Sequence, residues 1–209
     1  NVTLSLTGTS VSLTASQLNN GSNDNCGVAS TSVSPTSYTC ANLGANTATL
    51  TVTDVNGNTS TCTGTVTVQD VADPTAVCQN ITIYVSASGT ASITASDIDG
   101  GSSDNCTTSP TLTASNTSFS CNTLGNQNVT LTVTDGSGNN ATCTAVVTVL
   151  DTIAPTISCP SNITVNAPAG QCSSQVTFTT PAPTDNCPSP SVSRPSPSRF
   201  NSGPGIMPA

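Results

Sequence analysis

The chain has 209 residues, of which 10 are acidic and 2 are basic, so its formal net charge at pH 7 is −8. Only 6 % of the residues are charged, against about 25 % in an ordinary soluble domain. Nucleic acid is excluded as a partner, because binding phosphates requires a basic surface. The chain also lacks histidine and lysine, the side chains that usually activate serine or cysteine nucleophiles, so we expect no enzymatic activity.

Hydroxyl side chains take the place of charged ones, since 39 Thr and 31 Ser make up a third of the chain. Such residues disfavour helices and, where β-branched, favour strands, so we expect an all-β fold. Hydrophobic residues are only 34 % and are mostly small aliphatics, which leaves a thin core that needs cross-links. Ten cysteines without histidine or C-x2-C spacing indicate disulfides rather than zinc, and therefore an extracellular, secreted protein. No segment is apolar over the ~18 residues that insertion into a membrane requires.

The sequence repeats with a period of 81 residues. Cys40 and Cys121 are 81 residues apart, as are Asp54 and Asp135, and segment 49–70 closely resembles segment 130–151. This period predicts three domains: repeat 1 at 1–70, which lacks its opening cysteine, repeat 2 at 71–151, and the first part of repeat 3 at 152–209. We expect the parent protein to continue in both directions.

The predicted elements follow the same order in each repeat. Residues 48–53 alternate apolar side chains with threonine, which is typical of a half-buried antiparallel strand. The turn sequence Asp-x-x-Gly-Asn at 54–58 and a second alternating strand complete a hairpin, which recurs at 129–149. With several further short strands, each repeat is predicted to be an immunoglobulin-like β-sandwich. Short proline-containing linkers at 70–74 and 151–155 predict that the sandwiches stand end to end as a rod.

The Pro- and Ser-rich residues 188–208 have two interpretations. They are either the middle strands and loops of the truncated third repeat, or a disordered linker.

The cysteines predict two groups of disulfides. Three bonds would close short loops of similar size: Cys26–Cys40, Cys106–Cys121 and Cys172–Cys187. For the other four cysteines, Cys78–Cys143 would tie the first strand of a domain to the last, leaving Cys62 and Cys159 to partners outside the chain. The alternative, Cys62–Cys78 and Cys143–Cys159, crosses each linker. We favour the first arrangement, because first and last strands lie side by side in this kind of sandwich.

Aspartates at turns and linkers are the candidate calcium ligands, since Ca²⁺ binds several hard oxygen atoms. Asp54, Asn56 and Asn58 have the spacing of the first half of an EF-hand loop, although a simple Asx turn gives the same pattern. The equivalent turn residue and the linker aspartates, which could meet a neighbouring domain, complete the set: Asp135, Asp70, Asp73 and Asp151. No other cofactor is expected.

Two segments carry sequence motifs at the start and at the end of a repeat. Residues 155–165 read PTISCPSNITV, and residues 134–149 read TDGSGNNATCTAVVTV, a sequence that recurs with small changes at 53–68. These segments resemble the opening and closing motifs of the hyalin repeat (HYR) family of immunoglobulin-like extracellular modules. Repeat 2 departs from the opening motif at 78–85, where CQNITIYV is one residue short. The extra cysteine in the triplet D-N-C is similar to a variant of giant surface adhesins and filament proteins of Bacteroidetes. In that setting Asp151-Thr152-Ile153 resembles an O-glycosylation signal, so Thr152 is a candidate glycosylation site.

The sequence favours a structural function. We expect a disulfide-stapled segment of an extracellular stalk or fibre that holds an adhesive or anchoring part away from a cell. Its partners would be neighbouring repeats of the same polypeptide, with lateral self-association or surface glycans as further partners. Two alternatives stay open: a glycan- or ligand-binding accessory module of a secreted protein, and a calcium-dependent homophilic adhesin.

Overall fold

A computed structural model of the chain describes residues 1–159, 161–166, 169–170 and 181–188. Regular structure in these residues consists of strands and a few single-turn helices, so the predicted all-β fold is confirmed. No helix in this part of the chain is long and apolar enough to cross a membrane. Cys172, both arginines and residues 189–208 of the Pro- and Ser-rich segment lie outside the described residues.

Repeat 1 contains two sheets. Its strands are β1 (Val2–Leu6), β2 (Ser10–Ser12), β3 (Val28–Ser34), β4 (Ser37–Thr39), β5 (Gly44–Asp54) and β6 (Thr59–Asp70). Its helical turns are α1 (Ala15–Leu18) and a 3₁₀ turn at Cys40–Asn42. One sheet has the order β1-β6-β5-β3, and β2 pairs with β4 in the other. Strand β1 runs parallel to β6, so the first and last strands are neighbours, and β5 and β6 form the predicted hairpin.

Repeat 2 has the same topology. Its strands are β7 (Ile81–Tyr84), β8 (Thr90–Ser92), β9 (Thr111–Ala114), β10 (Ser118–Ser120), β11 (Gly125–Thr134) and β12 (Asn140–Leu150). Its 3₁₀ turns are Ala95–Ile98 and Cys121–Thr123. The four-stranded sheet has the order β7-β12-β11-β9, and β8 pairs with β10.

The alternating pattern of the long strands produces a core on one face of each sheet. In β6, Val66 and Val68 are buried while Thr65 is exposed and Thr67 is half-buried, because successive side chains of a strand point to opposite faces. These valines join one apolar cluster with residues of the other strands: Leu4, Leu6, Leu13, Val33, Tyr38 and Ala48. In β11 and β12 the same alternation buries Val129, Leu131, Val133, Ala145, Val147 and Val149.

The chain forms two compact units. Unit 1 comprises Asn1–Thr82, Ser92–Ser118 and Asn126–Thr148, and unit 2 comprises Ile83–Ala91, Phe119–Gly125 and Val149–Ala209. Each site described below lies within a single unit.

Candidate functional site: the junctions between repeats

Two disulfides join consecutive repeats. In unit 1, Cys40 of repeat 1 bonds to Cys106 of repeat 2, with a Cα–Cα distance of 5.1 Å. In unit 2, Cys121 of repeat 2 bonds to Cys187 of repeat 3, with a Cα–Cα distance of 5.3 Å. Both bonds span 66 residues and pair the cysteine that opens a 3₁₀ turn with the D-N-C cysteine of the next repeat. We call their surroundings the first junction and the second junction.

These bonds show that the predicted short-loop disulfides are wrong. Cys40 and Cys121 pair with the following repeat, which overturns Cys26–Cys40 and Cys106–Cys121, and Cys187 is bonded to Cys121 rather than to Cys172. The reason is the strand between the two cysteines of a repeat. Seven-residue β3 carries the chain about 23 Å away from Cys26, whereas the Cα atoms of a disulfide lie at most about 6.8 Å apart.

The third disulfide lies within repeat 2. Cys78 bonds to Cys143 with a Cα–Cα distance of 5.7 Å, and it joins the segment before β7 to β12, the first and last strands of the repeat. The alternative that pairs Cys62 with Cys78 and Cys143 with Cys159 is therefore wrong. Among the described residues, Cys26, Cys62 and Cys159 have no disulfide partner, and all three are exposed.

A short backbone pairing places the D-N-C loop beside the linker. Thr75, just after Pro74, exchanges two hydrogen bonds with Ser103: Thr75 N–H donates to Ser103 O over 2.7 Å and Ser103 N–H to Thr75 O over 3.1 Å. The equivalent pair in repeat 3, Thr156 and Thr184, makes the same two bonds over 2.8 and 2.9 Å. The triplet that follows Ser103 is thereby held next to the end of the preceding repeat.

The asparagine of the D-N-C triplet reaches back to the preceding repeat. At the first junction, Asn105 Nδ2 donates to Gly8 O over 2.9 Å and to Asp70 Oδ1 over 3.3 Å. At the second junction, Asn186 Nδ2 donates to Ser86 O over 3.2 Å and to Asp151 Oδ1 over 3.1 Å. Each asparagine thus ties the loop after a repeat's first strand to that repeat's linker aspartate.

The second junction also requires a glycine. Gly89 has a φ of +73°, and a Cβ there would lie 2.8 Å from Asn186 O and 3.0 Å from Cys121 Sγ. Position 89 therefore needs a residue that adopts a positive φ and has no Cβ. Only glycine does, because other residues rarely adopt positive φ and their Cβ would clash with the backbone of repeat 3.

Three aspartates converge at the first junction. One carboxylate oxygen from each of Asp70, Asp104 and Asp135 lies within 4.8 Å of the others, and Asp70 and Asp135 are each only 6 % exposed. Asp70 ends β6 of repeat 1, Asp104 belongs to the D-N-C loop, and Asp135 opens the β11–β12 hairpin turn. Residues far apart in sequence thereby form one acidic site, which we call the junction triad.

Hydrogen bonds hold each triad carboxylate in place. Asp104 Oδ2 accepts from the N–H groups of Cys106 (2.9 Å) and Thr107 (2.7 Å). Asp135 Oδ1 accepts from the N–H groups of Ser137 and Asn139, and its Oδ2 accepts from Asn139 Nδ2 over 2.8 Å. Burial acts to raise the pKa of Asp135, but the hydrogen bonds from its own turn outweigh burial and lower that pKa below its ordinary value.

The predicted calcium ligands fall into three groups: members of the triad, residues of the Asp54 turn, and linker aspartates. Asp70 and Asp135 belong to the triad, together with Asp104, which sequence reasoning did not select as a ligand. Its signal was the recurrence of D-N-C at 24–26, 104–106 and 185–187. In repeat 1, both oxygens of Asp54 are occupied by its own turn, since Asn58 Nδ2 donates to Oδ2 over 2.8 Å and the N–H groups of Asn56 and Asn58 donate to Oδ1. Residues 54–58 are thus an Asx turn, and Asp135 makes the same turn in repeat 2. Among the described residues, Asp135 differs from Asp54 in having two further aspartates beside it.

The remaining predicted residues lie at the linkers. Asp73 is exposed and lies apart from the triad. Asp151 Oδ1 accepts from Ile153 N–H over 3.1 Å as well as from Asn186. Thr152 is exposed and its glycosylation stays a prediction.

Residues 150–203 match the family model of the HYR domain. A search among curated protein sequences finds no match to the chain. Among solved structures, the chain is similar to the protocadherin GammaB4 extracellular domain at 16 % identity and a TM-score of 0.35, covering 75 % of this chain and 32 % of that one. It is also similar to the fibronectin(III)-like modules of Clostridium thermocellum CbhA, at 13 % identity, a TM-score of 0.27 and coverage of 71 % and 89 %.

A third similar structure is human CDH23 EC21-23, at 17 % identity, a TM-score of 0.31 and coverage of 68 % and 54 %. The chain therefore spans about a third of the protocadherin and about half of the CDH23 fragment. The match at 150–203 includes the motif at 155–165 that resembles the HYR opening. Together with the β-sandwich topology and the three disulfides, it indicates an extracellular module that contains an HYR-like, immunoglobulin-like repeat.

Proposed function

We propose that the chain is a load-bearing segment of an extracellular stalk or fibre, in which disulfides transmit tension from each repeat to the next. The observation that carries this proposal is the pair of cross-repeat bonds, Cys40–Cys106 and Cys121–Cys187. Within repeat 2, Cys106 receives the bond from the preceding repeat and Cys121 makes the bond to the following one. The repeat therefore has an incoming and an outgoing cysteine.

This connectivity creates a covalent path much shorter than the chain. Tension applied to the two ends passes along residues 1–40, crosses to 106–121 and then crosses to 187–209. Residues 41–105 and 122–186 lie outside this path, so they bear no load even if they unfold. Repeat 2 contributes only about 16 residues, or about 55 Å at full extension, so its unfolding would release little length.

Three exposed cysteines extend the pattern. Cys26 occupies the incoming position of repeat 1, which corresponds to Cys106 in repeat 2. Cys62 and Cys159 correspond to Cys143 and Cys78, which bond to each other in repeat 2. We propose that Cys26 bonds to the outgoing cysteine of a preceding repeat, and that Cys62 and Cys159 each bond to a cysteine of their own repeat that lies outside this chain.

The setting that the resemblance suggests is a bacterial cell-surface adhesin or filament of the Bacteroidetes type, with neighbouring repeats as the principal partners. Lateral self-association and surface glycans belong to the same proposal. Mass spectrometry of the protein from its native source tests this setting through Thr152, which should carry a glycan if the signal at 151–153 is used.

Single-molecule pulling on the chain, with handles fused to both ends, tests the load path. We expect the oxidised chain to reach a full extension of about 280 Å and the reduced chain about 730 Å, at about 3.5 Å per residue. An oxidised chain that extends as far as the reduced one would contradict the proposal.

Two double variants provide a matched control. Cys40→Ser with Cys106→Ser removes a cross-repeat bond, and the shortest remaining path predicts an extension of about 430 Å. Cys78→Ser with Cys143→Ser removes the bond inside repeat 2, which lies off the load path, so the extension should stay at about 280 Å. If the full extension increased equally in both double variants, the proposed load path through the cross-repeat disulfides would be refuted.

A further inference from the structure

We propose that the junction triad, Asp70, Asp104 and Asp135, binds one calcium ion, with the amide oxygen of Asn105 as an additional candidate ligand. The three carboxylates come from the end of repeat 1, the D-N-C loop and the hairpin turn of repeat 2. An ion at this position would bind all three segments at once, in addition to the hydrogen bonds from Asn139 Nδ2 to Asp70 O over 3.2 Å and from Gly136 N–H to Thr107 Oγ1 over 2.8 Å. The site would exist whether or not the chain carries mechanical load.

Charge is the first argument. Three carboxylates meet within 4.8 Å of one another, and two of them belong to residues that are 94 % buried. The chain contains no histidine or lysine, and its two arginines, Arg194 and Arg199, fall outside the residue ranges of unit 1. Unit 1 therefore has no cationic side chain to offset the repulsion among the three carboxylates.

Unpartnered oxygen atoms are the second argument. Asp70 Oδ2, Asp104 Oδ1 and Asn105 Oδ1 are buried and accept no hydrogen bond from any described residue. Other oxygens of the same aspartates are used, since Asp70 Oδ1 accepts from Ala72 N–H over 3.2 Å and Asp104 Oδ2 accepts from Cys106 and Thr107. A buried oxygen without a donor is costly, so these atoms are poised for a ligand that attracts lone pairs.

The chemistry of the site favours calcium among the common cations. All the available donors are oxygen atoms, which suit hard cations and not zinc or copper. Calcium–oxygen distances are about 2.3–2.6 Å, so ligands on opposite sides of one ion are about 5 Å apart, which accommodates the 4.8 Å spread. An open groove of about 410 Å³ provides access to Asp70 from solution. Water molecules would complete the coordination.

The rest of the chain provides internal comparisons. All ten aspartates lie among the described residues, and the triad is the only group of three whose carboxylates converge there. Asp24 and Asp54, which correspond to Asp104 and Asp135, line a groove of about 140 Å³ without a third aspartate. We therefore expect one calcium ion per chain.

Calorimetric titration of the oxidised chain with CaCl₂, after removal of metals by chelation, tests the site. We expect one ion per chain, with a dissociation constant of about 10⁻⁴–10⁻³ M, as in other extracellular modules. At 10 mM Ca²⁺, the melting temperature should rise by roughly 3–10 °C over the value in chelator. Absence of both binding and a thermal shift would overturn the proposal.

Asp104→Asn separates ion binding from a structural role. The asparagine side chain keeps an oxygen that can accept the hydrogen bonds from the N–H groups of Cys106 and Thr107, but it carries no negative charge. In chelator the variant should melt at or above the wild-type temperature, because repulsion is relieved, and in calcium it should melt below wild type with at least tenfold weaker binding. Asp54→Asn, the matched control in repeat 1, should bind calcium as wild type does. Loss of binding in both variants, or a lower melting temperature of Asp104→Asn in chelator, would refute the site.

Discussion

Tyr38 and Phe119 occupy equivalent positions in the two repeats, 81 residues apart. Tyr38 is 1 % exposed and Phe119 is 4 % exposed, so both rings are core residues. The Tyr38 hydroxyl is buried and has no hydrogen-bond partner among the described residues, and burial raises the pKa of that hydroxyl. Burial of the unpaired Tyr38 hydroxyl therefore destabilises repeat 1, whereas Phe119 has no hydroxyl to bury in repeat 2.

Tyr38→Phe should stabilise the protein. Removing the unpaired hydroxyl is expected to raise the free energy of unfolding by about 1 kcal/mol, measured by guanidinium denaturation of the oxidised chain. Tyr84→Phe is the control, since Tyr84 is 57 % exposed and its substitution should change stability by less than about 0.5 kcal/mol. A destabilised Tyr38→Phe protein would mean that the hydroxyl has a partner.

At the scale of elements, the hairpins were predictable because their interactions are local. The alternating strands and the Asp-x-x-Gly-Asn turns involve residues only a few positions apart, and Asp54 N–H and Asp135 N–H each donate to the asparagine four residues on. The single-turn helices were not predicted, because three or four residues show no periodicity. The two four-residue turns had a signal in the pairs Thr14 with Gln17 and Thr94 with Asp97, in which the later side chain accepts a hydrogen bond from the backbone N–H of the threonine.

The β5–β6 turn should make stability depend on pH. The side chain of Asn58 and three backbone N–H groups lower the pKa of Asp54 below its ordinary value. A carboxyl whose pKa is lowered by folding stabilises the native state above its unfolded pKa of about 3.9, and this contribution is lost as pH falls through the folded value. Asp54→Asn keeps an acceptor oxygen but loses the charge.

We therefore expect Asp54→Asn to lower the urea midpoint at pH 7 and to lower it by less near pH 2, because Asp54 of the wild type takes up protons as pH falls through its folded pKa. Asp54→Ala also loses the oxygen atoms that accept the turn's hydrogen bonds. Its urea midpoint should therefore be lower than that of wild type and that of Asp54→Asn, at pH 7 and near pH 2. An equal deficit of Asp54→Asn at both pH values would show that the charge has no role in the turn.

At the scale of the whole molecule, the disulfides should appear in a peptide map. Cleavage before aspartate under non-reducing conditions, after alkylation of free thiols, should yield one species of three peptides, 24–53, 104–134 and 185–209, that separates on reduction. Cys40–Cys106 and Cys121–Cys187 are the links between them. Recovery of 24–53 and 104–134 as single peptides before reduction would instead support bonds within each repeat.

The repeat period explains why these bonds were mispredicted. Cys121 lies 15 residues after Cys106, and Cys40 lies 66 residues before it, and the two spacings together make one period. A periodic sequence is therefore equally consistent with pairing inside a repeat and pairing between repeats. The entropic cost of closing a loop is lower for the 15-residue spacing than for the 66-residue spacing by only about 1.3 kcal/mol. This difference is too small to outweigh the distances between the cysteines in the folded protein.

Composition predicts the strand content and the disulfide-rich extracellular class, and residues a few positions apart predict the hairpins. Comparison of segments 81 residues apart gives the period, and the sandwich predicted from these elements places the first and last strands of a repeat side by side. The partner of each D-N-C cysteine and the convergence of Asp70, Asp104 and Asp135 were decided by tertiary structure. They depend on how the end of one sandwich meets the loops of the next, a contact between residues 31 to 66 positions apart that no local pattern encodes.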